Sequence, residues 1–239
     1  MIHLFAGDDV TASRRAVKIL WLYASPERVS ERLLARYDRV FCASIAFTDR
    51  IRRLGFPAET LWVPTAFDSE PRPLAYDVVF VGKAWPDGRR RVVHDLGHPD
   101  LRFRVWGRGY RDLPARYWAG PYIDHARLDE VYGASVVSLN DHFETMAAEG
   151  FVNPRVFDIL AAGGFCLSDA NPALTQIFGD AVPQYRVPAE LREMVAAFVA
   201  KPEQRKPHMD RGRRIALGHT WPDAVGRLLA GLGPGWSAP

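Results

Sequence analysis

The chain has 239 residues, 48% of them hydrophobic and 25% charged, with a net charge of +3. That composition is ordinary for a globular protein with a substantial core, and no apolar run approaches the roughly 18 residues that a membrane span needs. The first residues lack the basic-then-apolar order of a signal peptide, and the basic residues are scattered among acids rather than gathered into a nucleic-acid stripe.

In chain order, "VKILWLYAS" (17–25) is a continuous apolar run that fits a buried strand. A helix follows, with Ser25 and Pro26 at its start, then a strand over 38–44, a helix over 44–55 closed by Gly55, and a strand over 60–64. The alternation implies parallel strands with helical crossovers. "PTAFDSEPRPLAYD" (64–77) carries three prolines and no apolar period, and it reads as a linker. The alternation then restarts with a strand over 76–82, a helix over about 86–97 and a strand over 101–107. After an irregular stretch come a helix near 125–133, a strand over 134–140, a helix opened by Asn153-Pro154 and a strand over 164–169. A short helix over 172–179, a strand-like "AVPQYRV" and a helical tail from 188 complete the pattern, with breaks expected near Pro207 and at "TWPDA". Both cysteines, Cys42 and Cys166, sit in apolar strand-like runs and read as free buried thiols, which fits a cytoplasmic protein.

Ligands of open parallel sheets bind at the carboxyl ends of strands, so the strand-to-helix turns hold the candidate site. In the first, Gly82 ends a strand, Lys83 follows, and Arg89, Arg90 and Arg91 come after a short irregular span. Glycine permits close backbone approach, and Lys83, Arg90 or Arg91 could meet a diphosphate. In the second, Gly107 opens "GRGYRD", a tight turn beside a ligand or another backbone. The third begins at Asn140 and carries His142, Glu144 and Glu149, candidates for acid, base or hydroxyl contacts. No His, Cys, Asp and Glu set has metal-ligand spacing.

The fourth is the Asn153-Pro154 helix, with a favoured N-cap and a favoured first residue. Arg155 and Asp158 share its polar face, three residues apart. They could form an ordinary surface pair. Alternatively, Arg155 stands at the positive end of the helix because an anion belongs there, and Asp158 accepts hydrogen bonds from sugar hydroxyls one turn deeper.

The segment "VVSLNDHFETMAAEGFVNPRVFDILAAGGFCLSD" resembles the donor-binding segment of GT-B fold glycosyltransferases. It is most similar to the group called glycosyl transferases group 1, or spore-maturation-protein-like. Asp158 falls where the helix glutamate of the wider retaining families stands, the residue that holds the ribose of a nucleotide sugar. "LDEVYGASVVSLN" and "YDVVFVGKAWPDGRR" look like the elements leading into that site. "WLYASPERVSERLLARYDRVFCASIAFTDRIRRLG" (21–55) is similar to the last third of the family's acceptor domain, and "VPTAFD" to its exit into the hinge. Glu149 departs from the pattern, lying nine positions before Asp158 where the wider families have eight.

The resemblance implies an α/β protein of GT-B type. A truncated N-terminal acceptor-side unit spans 1–66 and a hinge 67–76. A complete nucleotide-sugar-binding domain of Rossmann type spans 77–220, and a helix and tail cover 221–239. It further implies metal-independent transfer with retention from a UDP- or GDP-linked sugar, with no cofactor beyond that co-substrate. Glu149 and His142 are the catalytic candidates. Gly82, Lys83, Arg90, Arg91, Gly107, Asn140, Asn153, Arg155 and Asp158 are the donor-binding ones. The short acceptor side implies a second copy or a partner protein to complete it, and a non-catalytic nucleotide-sugar-binding subunit is the rival reading.

Overall fold

The structure, a computed structural model, describes residues 1–5, 17–97 and 99–230. They fall into two compact units, each built on a parallel sheet. The first comprises the described residues of Met1–Thr65, His142–Pro154 and His219–Pro239, and the second Ala66–Asp141 and Arg155–Gly218.

The first unit opens with β1 (Ile2–Phe5), β2 (Ile19–Leu22), α1 (Glu31–Leu34), β3 (Arg39–Cys42), α2 (Ile45–Arg53) and β4 (Ala58–Thr60). Its four strands pair in sequence order. Every residue of β2 is buried, as expected of a central strand covered on both faces. Leu20, Leu22 and Cys42 pack on one side with Phe47 and Ile51. Ile19, Trp21 and Phe41 pack on the other with Leu61. The sequence reading contains no counterpart of β1, whose four residues alternate between exposed and buried and so lack a continuous apolar run.

The second unit begins with β5 (Tyr76–Val81), α3 (Arg91–Leu96), β6 (Phe103–Trp106), β7 (Trp118–Gly120), α4 (Leu128–Gly133) and β8 (Ser135–Asn140). The chain then enters α5 (Glu144–Ala148), whose Met146 packs in the core of the first unit together with Phe151. It returns to the second unit as α6 (Arg155–Ala161), β9 (Cys166–Asp169), α7 (Pro172–Phe178), β10 (Gln184–Tyr185), α8 (Pro188–Ala200) and α9 (Pro202–Leu217). Last comes α10 (Trp221–Ala230), which lays Ala224 and Leu228 on Ile19, Trp21, Phe41 and Leu61 of the first unit.

The six strands of the second unit run in the order β10-β9-β8-β5-β6-β7. This is the doubly wound arrangement that leaves a crevice at the carboxyl ends, where the strand order reverses beside β5. Phe80, Val105, Val137 and Leu167 of the sheet pack with Val92 and Leu96 of α3 and Leu191 and Val195 of α8.

Three features differ from the sequence reading. The proline-rich stretch read as a hinge lies along the second unit: Ser69 Oγ donates to Asp129 at 2.7 Å, and the Arg72 and Ala75 N–H groups donate to the carbonyls of Gly133 and Ala134. Pro71 occupies the space where a Cβ on Gly163 would sit, and Gly163 ends α6 at φ +69°, a conformation that glycine adopts without strain. The tail does not break at Pro207, which stands inside α9; it is interrupted six residues earlier, at Lys201, and again between Leu217 and Trp221 at the "TWPDA" stretch. Pro207 and Glu203, whose carbonyl it leaves without a helical partner, are both exposed, so water can take up that bond. The helix expected over 86–97 spans only Arg91–Leu96, because Trp85–Gly88 form a turn ahead of it, the Gly88 N–H donating to the Trp85 carbonyl.

Both cysteines are buried free thiols. Burial pushes the Cys42 thiol up to about 12 and raises that of Cys166 as well, so neither is a thiolate nucleophile at neutral pH. Among the described residues, no helix is long and apolar enough to cross a membrane.

Candidate donor site

The carboxyl ends of β5, β6 and β7 surround a cavity of about 480 Å³ in the second unit. Gly82 and Lys83 line it from the end of β5, and Trp106, Gly107 and Arg108 from the end of β6. Tyr122, Ile123, His125 and Leu128 close it from the segment that follows β7. Its volume and mainly apolar, aromatic wall with a few cations suit a flat heteroaromatic group carrying negative charge.

The two glycines explain how the cavity floor is built. Gly107 sits at φ +155°, and a Cβ there would lie 2.1 Å from the Gly82 carbonyl oxygen. Only glycine allows the two turns to approach so closely. Their carbonyls are fixed from outside: Tyr110 donates to that of Gly82 at 2.8 Å, and Trp118 Nε1 to that of Gly107 at 3.1 Å. Burial raises the Tyr110 phenol, which keeps it protonated and a donor. Lys83 is exposed at the rim.

Arg155, the first residue of α6, stands beside Gly82: its Nη2 lies 2.8 Å from where a Gly82 Cβ would be. The guanidinium is half-buried, 4.9 Å from the centroid of the Phe80 ring, and its Nη1 donates to Asn140 Oδ1 at 2.8 Å. Asp158 is half-buried one turn further along α6, and its charge and that of Arg155 both act on the buried Tyr132 phenol. Gly82 thus serves two neighbours, the Gly107 turn and the Arg155 side chain.

Arg90 departs from the expectation of a phosphate contact. It is only 4% exposed and lies across Phe80 and Trp85, with Nε donating to Asp141 Oδ1 at 2.6 Å. Asp141 also accepts from the Val92 N–H at 3.3 Å, so a carboxylate of the protein already occupies the start of α3. Burial presses the Asp141 carboxyl up and the Arg90 guanidinium down, each against the pull of the other. Arg91 is exposed and lies 3.6 Å from Asp95 one turn along the same helix. Neither arginine lines the cavity.

The remaining candidates are placed differently from the sequence reading. Asn140 is wholly buried, bonded to Arg155 and Ser168, and does not line the cavity. His142 is 3% exposed, in the segment that belongs to the first unit. Glu149, in the same segment, pairs with Arg50 at 2.5 Å, while its carbonyl accepts from Ser44 Oγ at 2.6 Å. Its carboxylate therefore anchors the segment to α2. Asn153 is half-buried, and the helix begins at Arg155, one residue later than expected. Sequence reasoning missed Trp106, Arg108, Tyr122, His125 and Leu128, the cavity walls. The available signal was the pair of aromatics flanking glycines in "VWGRG" and "AGPYI".

A family model described as glycosyl transferase-like matches residues 89–230. No curated protein sequence matches. Among solved structures, the fold is similar to the β-glucosyltransferase of T4 phage, with 16% identity, a TM-score of 0.61, and 90% of this chain and 74% of that one covered. It is also similar to the sucrose-phosphate synthase of Thermosynechococcus elongatus, at 12% identity and a TM-score of 0.66, covering 90% and 67% of the two chains. A third is the pneumococcal O-GlcNAc transferase solved with UDP and GlcNAc, at 12% identity and a TM-score of 0.58, covering 90% and 52%. All three share the two-unit parallel-sheet architecture of GT-B type.

Proposed function

The chain belongs to the glycosyl transferase-like family, and from that premise we propose that this glycosyltransferase takes a hexosyl group from a nucleotide-diphosphate sugar bound in the second unit. The observation that carries the reading is the cavity at the ends of β5, β6 and β7, with Lys83 at its rim and Arg155 beside its floor. An aromatic-walled pocket takes the base, and the two cations meet the diphosphate. The charge that develops on the leaving diphosphate is then met by groups already in place. Asp158, one turn beyond Arg155, accepts hydrogen bonds from the ribose.

A UDP-linked donor is the first to test. The T4 phage enzyme has been solved with its UDP-glucose substrate, and the pneumococcal one with UDP. Transfer with retention and without a metal follows from the sequence resemblance. Since the T4 phage enzyme has also been solved with UDP and Mn²⁺, turnover should be compared in EDTA and in Mn²⁺. We place the protein in the cytoplasm, where its two free thiols stay reduced, and the acceptor side is completed by a second copy or a partner protein.

The test is a thermal-shift screen against UDP, GDP, ADP and dTDP sugars, followed by assay of nucleoside diphosphate release. Stabilisation by one nucleotide class together with slow donor hydrolysis supports the proposal. No shift with any of them sinks it.

A further inference from the structure

The wall of the cavity divides by origin. Its cations, Lys83 and Arg108, come from the turns after β5 and β6, whereas the segment after β7 contributes Pro121, Tyr122, Ile123, His125 and Leu128. Of these five, only Tyr122 and His125 carry a polar atom in the side chain. Tyr122 is 67% exposed.

His125 is held more firmly. It opens a short 3-10 turn over His125–Arg127 that runs straight into α4, and Asp124 caps this turn by accepting from the Ala126 N–H at 3.0 Å. Its ring centroid lies 5.1 Å from that of Phe67, with the planes inclined by 34°. The planes are closer to parallel than perpendicular, so Phe67 covers a face of the imidazole, while the nitrogens lie on its edge. Both sides of this contact are tied down in the same place. Two residues after Phe67, Ser69 Oγ donates to Asp129, and Arg72 lies 3.2 Å from the same carboxylate, on the first turn of α4.

Stacking on an apolar or aromatic wall takes any base, because every base has a π-face. Discrimination between bases needs a polar group that a wrong base leaves unpaired. A neutral imidazole supplies one donor and one acceptor, the pair of functions that the polar edge of a base also carries. We propose that His125 is a specificity-determining residue that reads the base of the donor through its ring nitrogens; this rests on the donor reading above. Phe67 positions the ring, which gives the proline-rich stretch read as a hinge a part in the site. Tyr122, Ile123 and Leu128 stack on the base without choosing among bases.

The test is titration of UDP, GDP, ADP, dTDP and inorganic pyrophosphate into the wild type, His125→Phe and His125→Gln, with thermal unfolding of each. His125→Phe keeps a ring against Phe67 and removes both nitrogens. Affinity for the nucleoside diphosphate that the wild type prefers should fall about tenfold, as for a hydrogen bond lost with its partner left unpaired. The margin over the other three should shrink by a similar factor, and pyrophosphate should bind as before. His125→Gln keeps a donor and an acceptor and should stay within about threefold of the wild type. If His125→Phe binds all five probes as the wild type does, or loses pyrophosphate as much as nucleotide, base reading is overturned and the donor reading stands. Equal affinity of the wild type for all four nucleoside diphosphates, or a His125→Gln no better than His125→Phe, overturns it in the same way. If His125→Phe unfolds, His125→Ala is judged by the same criteria. If the wild type binds no nucleoside diphosphate, the donor reading and base reading are both overturned.

Discussion

Arg90 and Arg155 lie against the same Phe80 ring, 5.3 and 4.9 Å from its centroid, in two neighbouring regions of the second unit. Their surroundings differ in burial and in the hydrogen-bond acceptor each one meets. Arg90 is buried against the carboxylate of Asp141, whereas Arg155 is half-buried against the amide of Asn140. A buried cation without a counter-charge is expensive, so Arg90 must be neutralised by its own protein. Arg155 reaches solvent. Of two arginines that look alike in sequence, the first is neutralised within the fold, and the proposed donor reading assigns the second to the ligand.

The largest effect that could break this contrast is on stability. Asp141→Ala strands a buried guanidinium and leaves the Val92 N–H without its acceptor, and should destabilise the protein by about 3–5 kcal/mol in denaturant unfolding. Replacing the pair together, as Arg90→Met with Asp141→Leu, should recover most of that loss and leave pyrophosphate affinity unchanged. Loss of pyrophosphate binding in the folded double variant would move Arg90 back into the site. Arg155→Gln should act in the opposite sense, weakening UDP binding by about 1.5–3 kcal/mol while unfolding near the wild-type temperature. Asp158→Ala should weaken binding of UDP by about tenfold, with a smaller effect on unfolding, and leave binding of pyrophosphate, which has no ribose, close to wild type.

The smallest effect comes from a third arginine–carboxylate contact, on the surface. Arg102 donates to Asp77 at 2.6 Å, and these hydrogen bonds hold the Asp77 carboxyl below its usual range. A depressed carboxyl stabilises the fold above its unfolded pKa of about 4 and loses that contribution as pH falls through the lower folded value. Asp77→Asn should therefore lower the unfolding temperature slightly at pH 7, and the difference should vanish once the pH falls below the lowered folded value. A difference that persists in acid would mean that the contact works by packing rather than charge.

The same contrast shows what the sequence could reveal. The alternation of apolar runs and helical segments reads out the parallel strands because β2, β5 and β8 are buried along their length or nearly so. The strands β1 and β7 escape that reading, since each is short and at least half exposed at a sheet edge. With β7 unseen, the segment over 121–128 had no strand to follow, and the cavity walls stayed hidden. Arg155 stands out in the sequence because a cation at a helix start calls for an explanation. The burial of Arg90 is not, because its partner Asp141 lies 51 positions away and only the pairing of β5 with β8 brings them together. Glu149 is misleading for a related reason: in "EGFVNP" nothing marks its carboxylate for Arg50, 99 positions earlier.

The most direct measurement is nucleoside diphosphate release from the nucleotide sugar that most stabilises the protein, followed in the wild type, in Arg155→Gln and in the double variant Arg90→Met with Asp141→Leu. The account predicts turnover in the wild type, a similar rate in the double variant, and at least about a tenfold loss in Arg155→Gln. Equal rates in Arg155→Gln and the wild type, or an equal loss in both variants, would contradict it.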